Sequence, residues 1–112
     1  MPIRSVIGLF LCVLFIALGM PLVLGWVQQN HLYGLRTRAT YSSSEVWRRA
    51  NVVAGKLIVL AGILALVVDL IVWFSLRQDR VAQEVIMLIL PEVLVLVAAV
   101  ISVVYSNRLA RQ

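Results

Sequence analysis

The sequence has few charged residues and almost none of the side chains that bind metals or form disulfides. Only 13% of its 112 residues are charged, against about a quarter in an average soluble domain. It contains one cysteine and one histidine, so Cys12 has no disulfide partner in the chain and His31 has no neighbouring ligand for zinc. No nucleophile–base pair and no phosphate-binding loop is present either. The sequence therefore predicts no metal, no cofactor, no catalytic residue and no enzyme.

Apolar residues predominate in this chain. They make up 62% of the residues, and the mean hydropathy is +1.01. A soluble domain this small leaves too much surface exposed to hide so many apolar side chains, and disordered chains are poor in them. We therefore expect an integral membrane protein in contact with the lipid bilayer.

Three apolar stretches are long enough to cross a bilayer, which takes about 20 helical residues. They cover residues 5–27, which carry no charge, residues 57–76, which include Asp69, and residues 85–105, which include Glu92. Backbone groups in lipid must be paired within their own segment, so each span is expected to be an α-helix. The first span is too long for a secretory signal and lacks a cleavage site, so we expect it to be retained. The predicted fold is an all-α membrane protein with three transmembrane helices, in a single domain over residues 1–112.

The basic residues are divided unevenly between the two sides of this arrangement. Three of the ten, Arg4, Arg77 and Arg80, flank the spans on one side. The other seven flank them on the opposite side: Arg36, Arg38, Arg48, Arg49, Lys56, Arg108 and Arg111. The positive-inside rule then places the loop of residues 28–56 and the C-terminus in the cytoplasm, and the N-terminus outside. Because this bias explains the basic pI of about 10.4, we expect no nucleic-acid partner.

The loop of residues 28–56 also contains a signal for the start of the second helix. Ser42 and Glu45 have the spacing of a capping box, in which the serine hydroxyl accepts a backbone N–H and the glutamate reaches back to the cap. A helix from about residue 43 to residue 76 would be about 50 Å long at 1.5 Å per residue, which exceeds the hydrocarbon thickness. Its first turns should therefore lie at the membrane surface as an interfacial extension, with Trp47 among the lipid headgroups.

Upstream of this helix, the loop combines a glycine with several hydrogen-bonding side chains. Gly34 predicts a turn with an unusual backbone conformation. Arg36 is the candidate organiser of the loop, because its planar guanidinium can hold several carbonyls or a carboxylate at once. The alternative is a solvated basic loop whose arginines only determine topology.

The order of residues in this loop resembles that of a known family. An Asn-x-x-x-Gly-x-Arg-Thr-x-x-Thr…Trp loop between the first two of three transmembrane helices is typical of the SdpI-type bacterial immunity-protein family. The matching residues are Asn30, Tyr33, Gly34, Arg36, Thr37, Thr40, Glu45, Trp47 and Asn51. The chain departs from the family at Arg38, where proline is frequent, and has Asn51 where histidine is also common. The resemblance implies a protein of the bacterial cytoplasmic membrane, and some members of the family protect their producer against a secreted toxic peptide.

Two carboxylates lie where a bilayer penalises charge. An ionised carboxylate at the middle of a membrane helix costs about 2.5–3.5 kcal/mol, so such residues usually face protein or water. Asp69 and Glu92 both lie about 10–12 Å below the outer surface, counted from residues 76 and 84 at 1.5 Å per residue. We expect them to share one polar environment that faces protein. They would then be hydrogen-bonded neutral acids, a proton or ion site, or the contact with a partner subunit.

These observations favour a non-enzymatic, SdpI-like membrane protein that confers immunity by binding a toxic peptide or a membrane partner. Two alternatives stay open. The chain could be an accessory subunit of a larger membrane protein complex, docked through small-residue faces such as Ala61/Ala65 and Ala98/Ser102. It could also be a small proton- or ion-coupled transporter that uses Asp69 and Glu92.

Overall fold

Three helices account for most of the chain in the computed structural model, which describes residues 2–30 and 32–111. They are α1 (Ile3–Val23), α2 (Ser44–Ser75) and α3 (Arg80–Ala110). Each is long and apolar enough to cross a membrane, and the described residues include no strand. The predicted all-helical fold with three membrane-spanning helices is confirmed. His31 lies outside the described residues.

The ends of two helices differ from the predicted spans. α1 ends at Val23 and not at residue 27, because Gly25 adopts a φ of +72°. The N–H of Gly25 donates to the Leu22 carbonyl and that of Trp26 to the Pro21 carbonyl, both at 3.1 Å. This pair of bonds is a Schellman motif, which ends a helix with a left-handed glycine. α3 is longer than residues 85–105 at both ends, since Asp79 caps its N-terminus and the C-terminal residues continue the helix.

The long second helix is confirmed, but its cap is displaced by one residue. Ser43 is the N-cap, and its hydroxyl accepts the Val46 N–H at 3.0 Å. Ser42 instead donates its hydroxyl to the Ala39 carbonyl at 2.6 Å. Glu45 is therefore one position too early to complete a capping box, and it pairs with Arg49 at 3.4 Å. The predicted Ser42–Glu45 box is wrong for this reason.

Small residues line the faces along which the helices meet. A Cβ added to Gly55 of α2 would lie 2.6 Å from the backbone nitrogen of Val23, and one added to Gly62 would lie 3.0 Å from the Cys12 carbonyl oxygen. Gly8 of α1 approaches the Met87 carbonyl of α3 too closely for any side chain. Such close approach of backbones is typical of membrane helices, which associate mainly by packing. The faces through Ala61/Ala65 and Ala98/Ser102 are buried within this chain, so they do not offer a free docking surface.

Side-chain contacts identify what lies at each end of the bundle. Arg4 of α1 pairs with Glu84 of α3 at 3.8 Å, beside the short turn between α2 and α3. At the opposite end, the hydroxyls of Thr37 and Ser106 are 3.5 Å apart, so the loop after α1 meets the last turns of α3. The three basic residues of one set and the seven of the other therefore lie at opposite ends, whereas which end faces the cytoplasm stays a prediction.

Candidate functional site

The loop between α1 and α2 begins with a turn that Asn30 holds. Its side-chain oxygen accepts the N–H groups of Leu32 and Tyr33 at 2.8 and 2.7 Å. Its side-chain nitrogen donates to the Gln28 carbonyl at 2.6 Å. Asparagine favours turns because its short side chain can replace backbone partners in this way. The first residue of the family-like motif therefore shapes the backbone of the loop.

Gly34 and Asn51 join the loop to α2. Gly34 has a φ of +105°, and a Cβ there would lie 2.7 Å from the Asn51 side-chain oxygen. Asn51 is buried; its oxygen accepts the Leu35 N–H, and its nitrogen donates to the carbonyls of Leu35 at 3.3 Å and Trp47 at 2.9 Å. One side-chain amide thus satisfies both backbone groups of Leu35, as a neighbouring strand would. The glycine is needed both for its backbone conformation and for this close approach.

Trp47 is buried beneath the loop. Its side chain is 1% exposed, and its indole N–H donates to the Val27 carbonyl at 3.0 Å. The ring of Tyr41 packs against it with the ring centres 5.5 Å apart. The prediction that Trp47 contacts the headgroups is therefore wrong, because the loop folds over it; the depth at which it lies in the membrane stays a prediction. Its neighbours Arg48 and Arg49 are exposed.

Thr37 and Thr40 close the second half of the loop on itself. The Thr37 N–H donates to the Thr40 hydroxyl at 2.8 Å, and the Thr40 N–H donates to the Thr37 hydroxyl at 3.2 Å. Thr40 is fully buried, and its carbonyl accepts the side-chain amide of Gln29 at 3.2 Å. Through the Thr37–Ser106 contact the loop also reaches α3. Sequence reasoning missed Gln29 and Ser106, although Ser106 continues the buried small-residue face of α3 at helical spacing.

Tyr33 attaches the loop to α1. Its hydroxyl donates to the Leu18 carbonyl, and partial burial raises the pKa of Tyr33 above its ordinary value. Arg36 is exposed, so its role as organiser stays a prediction. Glu45 stands apart from the loop in its exposed pair with Arg49. Together with Gly34, which packs against Asn51, several other motif residues hydrogen-bond within the loop or attach it to the helices: Asn30, Tyr33, Thr37, Thr40, Trp47 and Asn51.

The two intramembrane carboxylates lie in different surroundings. Asp69 is fully buried; one of its oxygens accepts the Cys12 thiol at 3.6 Å, and the other has no hydrogen-bond partner among the described residues. Glu92 is exposed. Within this chain, Glu92 lies outside the buried face of α3, which runs through Met87, Pro91 and Ala98, so the expectation of one shared protein-facing environment stays a prediction. Successive helical residues are turned by about 100°, which takes Glu92 away from that face.

An apolar cavity of about 310 Å³ lies below the loop. All three helices contribute to its walls, and residues 33–35 of the loop form one end. Most of the lining side chains are only half-buried, so the cavity opens towards the surroundings of the bundle. The lining includes Phe15, Leu18, Tyr33, Ile58, Val95 and Ala99.

Comparison with known proteins identifies the family of this chain. The model of the SdpI/YfhL protein family matches residues 27–106, which include the motif loop, the whole of α2 and most of α3. No curated protein and no solved structure matches the chain. The family match extends over more than two thirds of the sequence, and it contains every motif residue described above. The chain therefore belongs to the SdpI/YfhL protein family.

Proposed function

We propose that this protein is a non-enzymatic immunity protein of the bacterial cytoplasmic membrane, which binds a toxic peptide in the cavity beneath the motif loop. Membership of the SdpI/YfhL family supports this class of function. The proposal depends on what the side chains of the motif contact. These side chains hold the loop backbone over an apolar cavity, which supports a role in binding.

The chemistry of the cavity fits the apolar side chains of a membrane-inserted peptide. Its volume of about 310 Å³ is at the lower end of ligand pockets, which are about 300–1,000 Å³. In a bilayer, apolar surface is not driven together as it is in water, so selectivity comes from close packing and from a few polar contacts. Phe15, Val95 and Ala99 supply the packing surface. The loop keeps the end of the cavity in a defined shape.

A substitution that fills the cavity tests the proposal. The gene is deleted from its host, and the deletion strain is challenged with the toxic peptide fraction secreted by the parent strain. We expect the wild-type gene to restore growth and Ala99→Phe to lower the tolerated peptide concentration at least fourfold. Val100→Phe is the matched control, because Val100 is 57% exposed on the same helix.

Both variants must accumulate in the membrane to the same level as the wild type, which immunoblotting measures. Full protection by Ala99→Phe would contradict the cavity as the binding site. Protection by neither variant, at equal accumulation, would show that α3 tolerates no added ring and would also contradict the proposed role of the cavity.

Two features favour the alternative functions and define their tests. The exposed Glu92 favours an accessory subunit of a larger complex, and stoichiometric co-purification with that complex in mild detergent would support it. The buried Asp69 with one unpartnered oxygen favours a proton- or ion-coupled transporter. Acid-dependent flux that is lost in Asp69→Asn would support transport.

A further inference from the structure

Glu92 is an exposed carboxylate at a depth where lipid offers it no partner. It lies eight residues along α3 from Glu84, about 12 Å further into the membrane at 1.5 Å per residue. Its exposed neighbours are apolar, among them Ile89, Val93 and Leu96. Long basic side chains reach the interface from such positions, whereas the short glutamate side chain does not. A carboxylate in this position needs protein against it.

This chain has no cation to offer at that depth. The only charged residues in its predicted spans are Asp69 and Glu92, and Asp69 is buried against Cys12. A second copy in the same membrane orientation would place another Glu92 at the same level, because copies related by an axis along the membrane normal are equivalent. Complementary charge must therefore come from a different molecule.

The position of Glu92 relates it to the cavity. Residues seven apart on a helix lie on nearly the same face, so Glu92 and the cavity residue Ala99 are aligned along α3, about 10 Å apart. Val95, which lines the cavity, lies between them. A membrane-inserted helix that occupies the cavity would extend past Glu92 if it lies along α3.

We infer that the peptide bound by this protein carries a lysine or arginine within its membrane-inserted segment, and that this basic residue pairs with Glu92 while apolar residues about 10 Å further along fill the cavity. The inference rests on the proposed function, since it names the chemistry of the same ligand. Intramembrane charges that pair with one another are the arrangement that a bilayer tolerates. Asp69, buried behind this surface, is not the partner of the basic residue.

Synthetic transmembrane peptides test the charge pairing. A fluorescent leucine–alanine helix carries one lysine at the depth of Glu92, and a second peptide carries leucine there. Each is titrated by energy transfer against the full-length protein in phosphatidylethanolamine–phosphatidylglycerol vesicles. We expect the wild type to bind the lysine peptide at least tenfold more tightly than the leucine peptide. Glu92→Gln should bind the two peptides alike.

Two controls separate the pairing from general effects of charge. Glu84→Gln removes a carboxylate from the same helix near the membrane boundary and should keep the tenfold preference. Asp69→Asn removes the buried carboxylate and should also keep it. Equal binding of both peptides by the wild type would overturn the inference, as would Glu92-dependent self-association of the protein, which would assign this face to a second copy.

The growth assay and the vesicle assay test the two proposals separately. If Ala99→Phe leaves immunity intact while the lysine preference persists, the cavity proposal is wrong and the pairing at Glu92 stands. If immunity depends on Ala99 but the lysine preference is absent, the proposed function stands and the basic ligand is wrong.

Discussion

The motif loop and the helix bundle are stabilised by opposite means. In the loop, backbone groups are satisfied by side chains, as in the two bonds between Asn51 and Leu35 and the turn around Asn30. In the bundle, the helices satisfy their own backbones, and contact is made through glycines such as Gly8 and Gly55. Non-helical backbone near a membrane requires partners from protein, whereas helices in lipid gain most from close packing.

The two regions should therefore respond to different substitutions. The loop should be sensitive to the loss of a hydrogen-bonding group even when volume is kept. The bundle should be sensitive to added volume even when polarity is kept.

One end of the bundle should be accessible from outside the cell, and the other end should not. In a Cys12→Ala background, we expect Ser43→Cys at the loop end to resist an impermeant thiol reagent in intact cells. Gln78→Cys, in the turn between α2 and α3, should react fully, because the positive-inside rule places the arginine-rich loop end in the cytoplasm. Both cysteines should react after permeabilisation, and the reverse pattern in intact cells would invert the proposed orientation.

Added volume at Gly55 should give the largest loss of stability. A Cβ there already lies 2.6 Å from the Val23 nitrogen, so Gly55→Val forces α1 and α2 apart at a cost of about 3 kcal/mol. Thermal unfolding in detergent measures the change. Leu60→Val, on an exposed part of the same helix, is the control and should change stability little; equal effects would mean that helix contact is looser than described.

Loss of the Asn51 amide should loosen the loop. Asn51→Leu keeps most of the volume but leaves the N–H and the carbonyl of Leu35 without their partner. An unsatisfied buried group costs about 1–3 kcal/mol, so we expect a loss of about 2 kcal/mol, with faster hydrogen exchange in residues 32–41. Ser44→Leu, an exposed position at the start of α2, should leave exchange in the loop unchanged.

Tyr33 should make the attachment of the loop to α1 sensitive to alkaline pH. Burial raises the pKa of the folded-state tyrosine, so the neutral form is favoured on folding. This stabilisation is complete below the unfolded pKa of about 10 and is lost as pH rises through the higher folded value. Tyr33→Phe should lose about 1 kcal/mol with the bond to Leu18 and should abolish the loss of stability that begins as the pH rises above about 10. An unchanged alkaline transition in Tyr33→Phe would assign it to another group.

Substitution of Arg36 should give the smallest effect. It tests whether Arg36 does more than determine topology. Arg36→Lys keeps the charge but loses the planar group, so any loss of loop order, at most about 1 kcal/mol, reports geometry. Arg38→Lys is the matched control, because Arg38 is also exposed and lies two residues away. Identical hydrogen exchange in the loops of both variants would leave Arg36 only a topological role.

The class of the protein, the number of its helices and the residues of the motif follow from the sequence. Apolar runs of about 20 residues have one stable conformation in lipid, and their count does not depend on how they pack. The long second helix was predictable because its start carries a serine cap and nothing interrupts it before residue 76. Most motif residues were predictable from the sequence because their order in the loop is specific. Their hydrogen-bond partners were not predictable.

Which faces of the helices are buried depends on how the helices pack. In a soluble helix the apolar stripe marks the core, but here every face is apolar, and burial follows small residues that let helices meet. That is why Asp69 is enclosed beside Cys12 while Glu92, at a similar depth, is exposed. Trp47 is a second case, since an aromatic side chain near a membrane boundary is typical of an interfacial anchor. The loop that covers it is held by contacts between distant residues, 20 positions apart for Trp47 and Val27 and 69 for Thr37 and Ser106, and such contacts form only when the chain has folded.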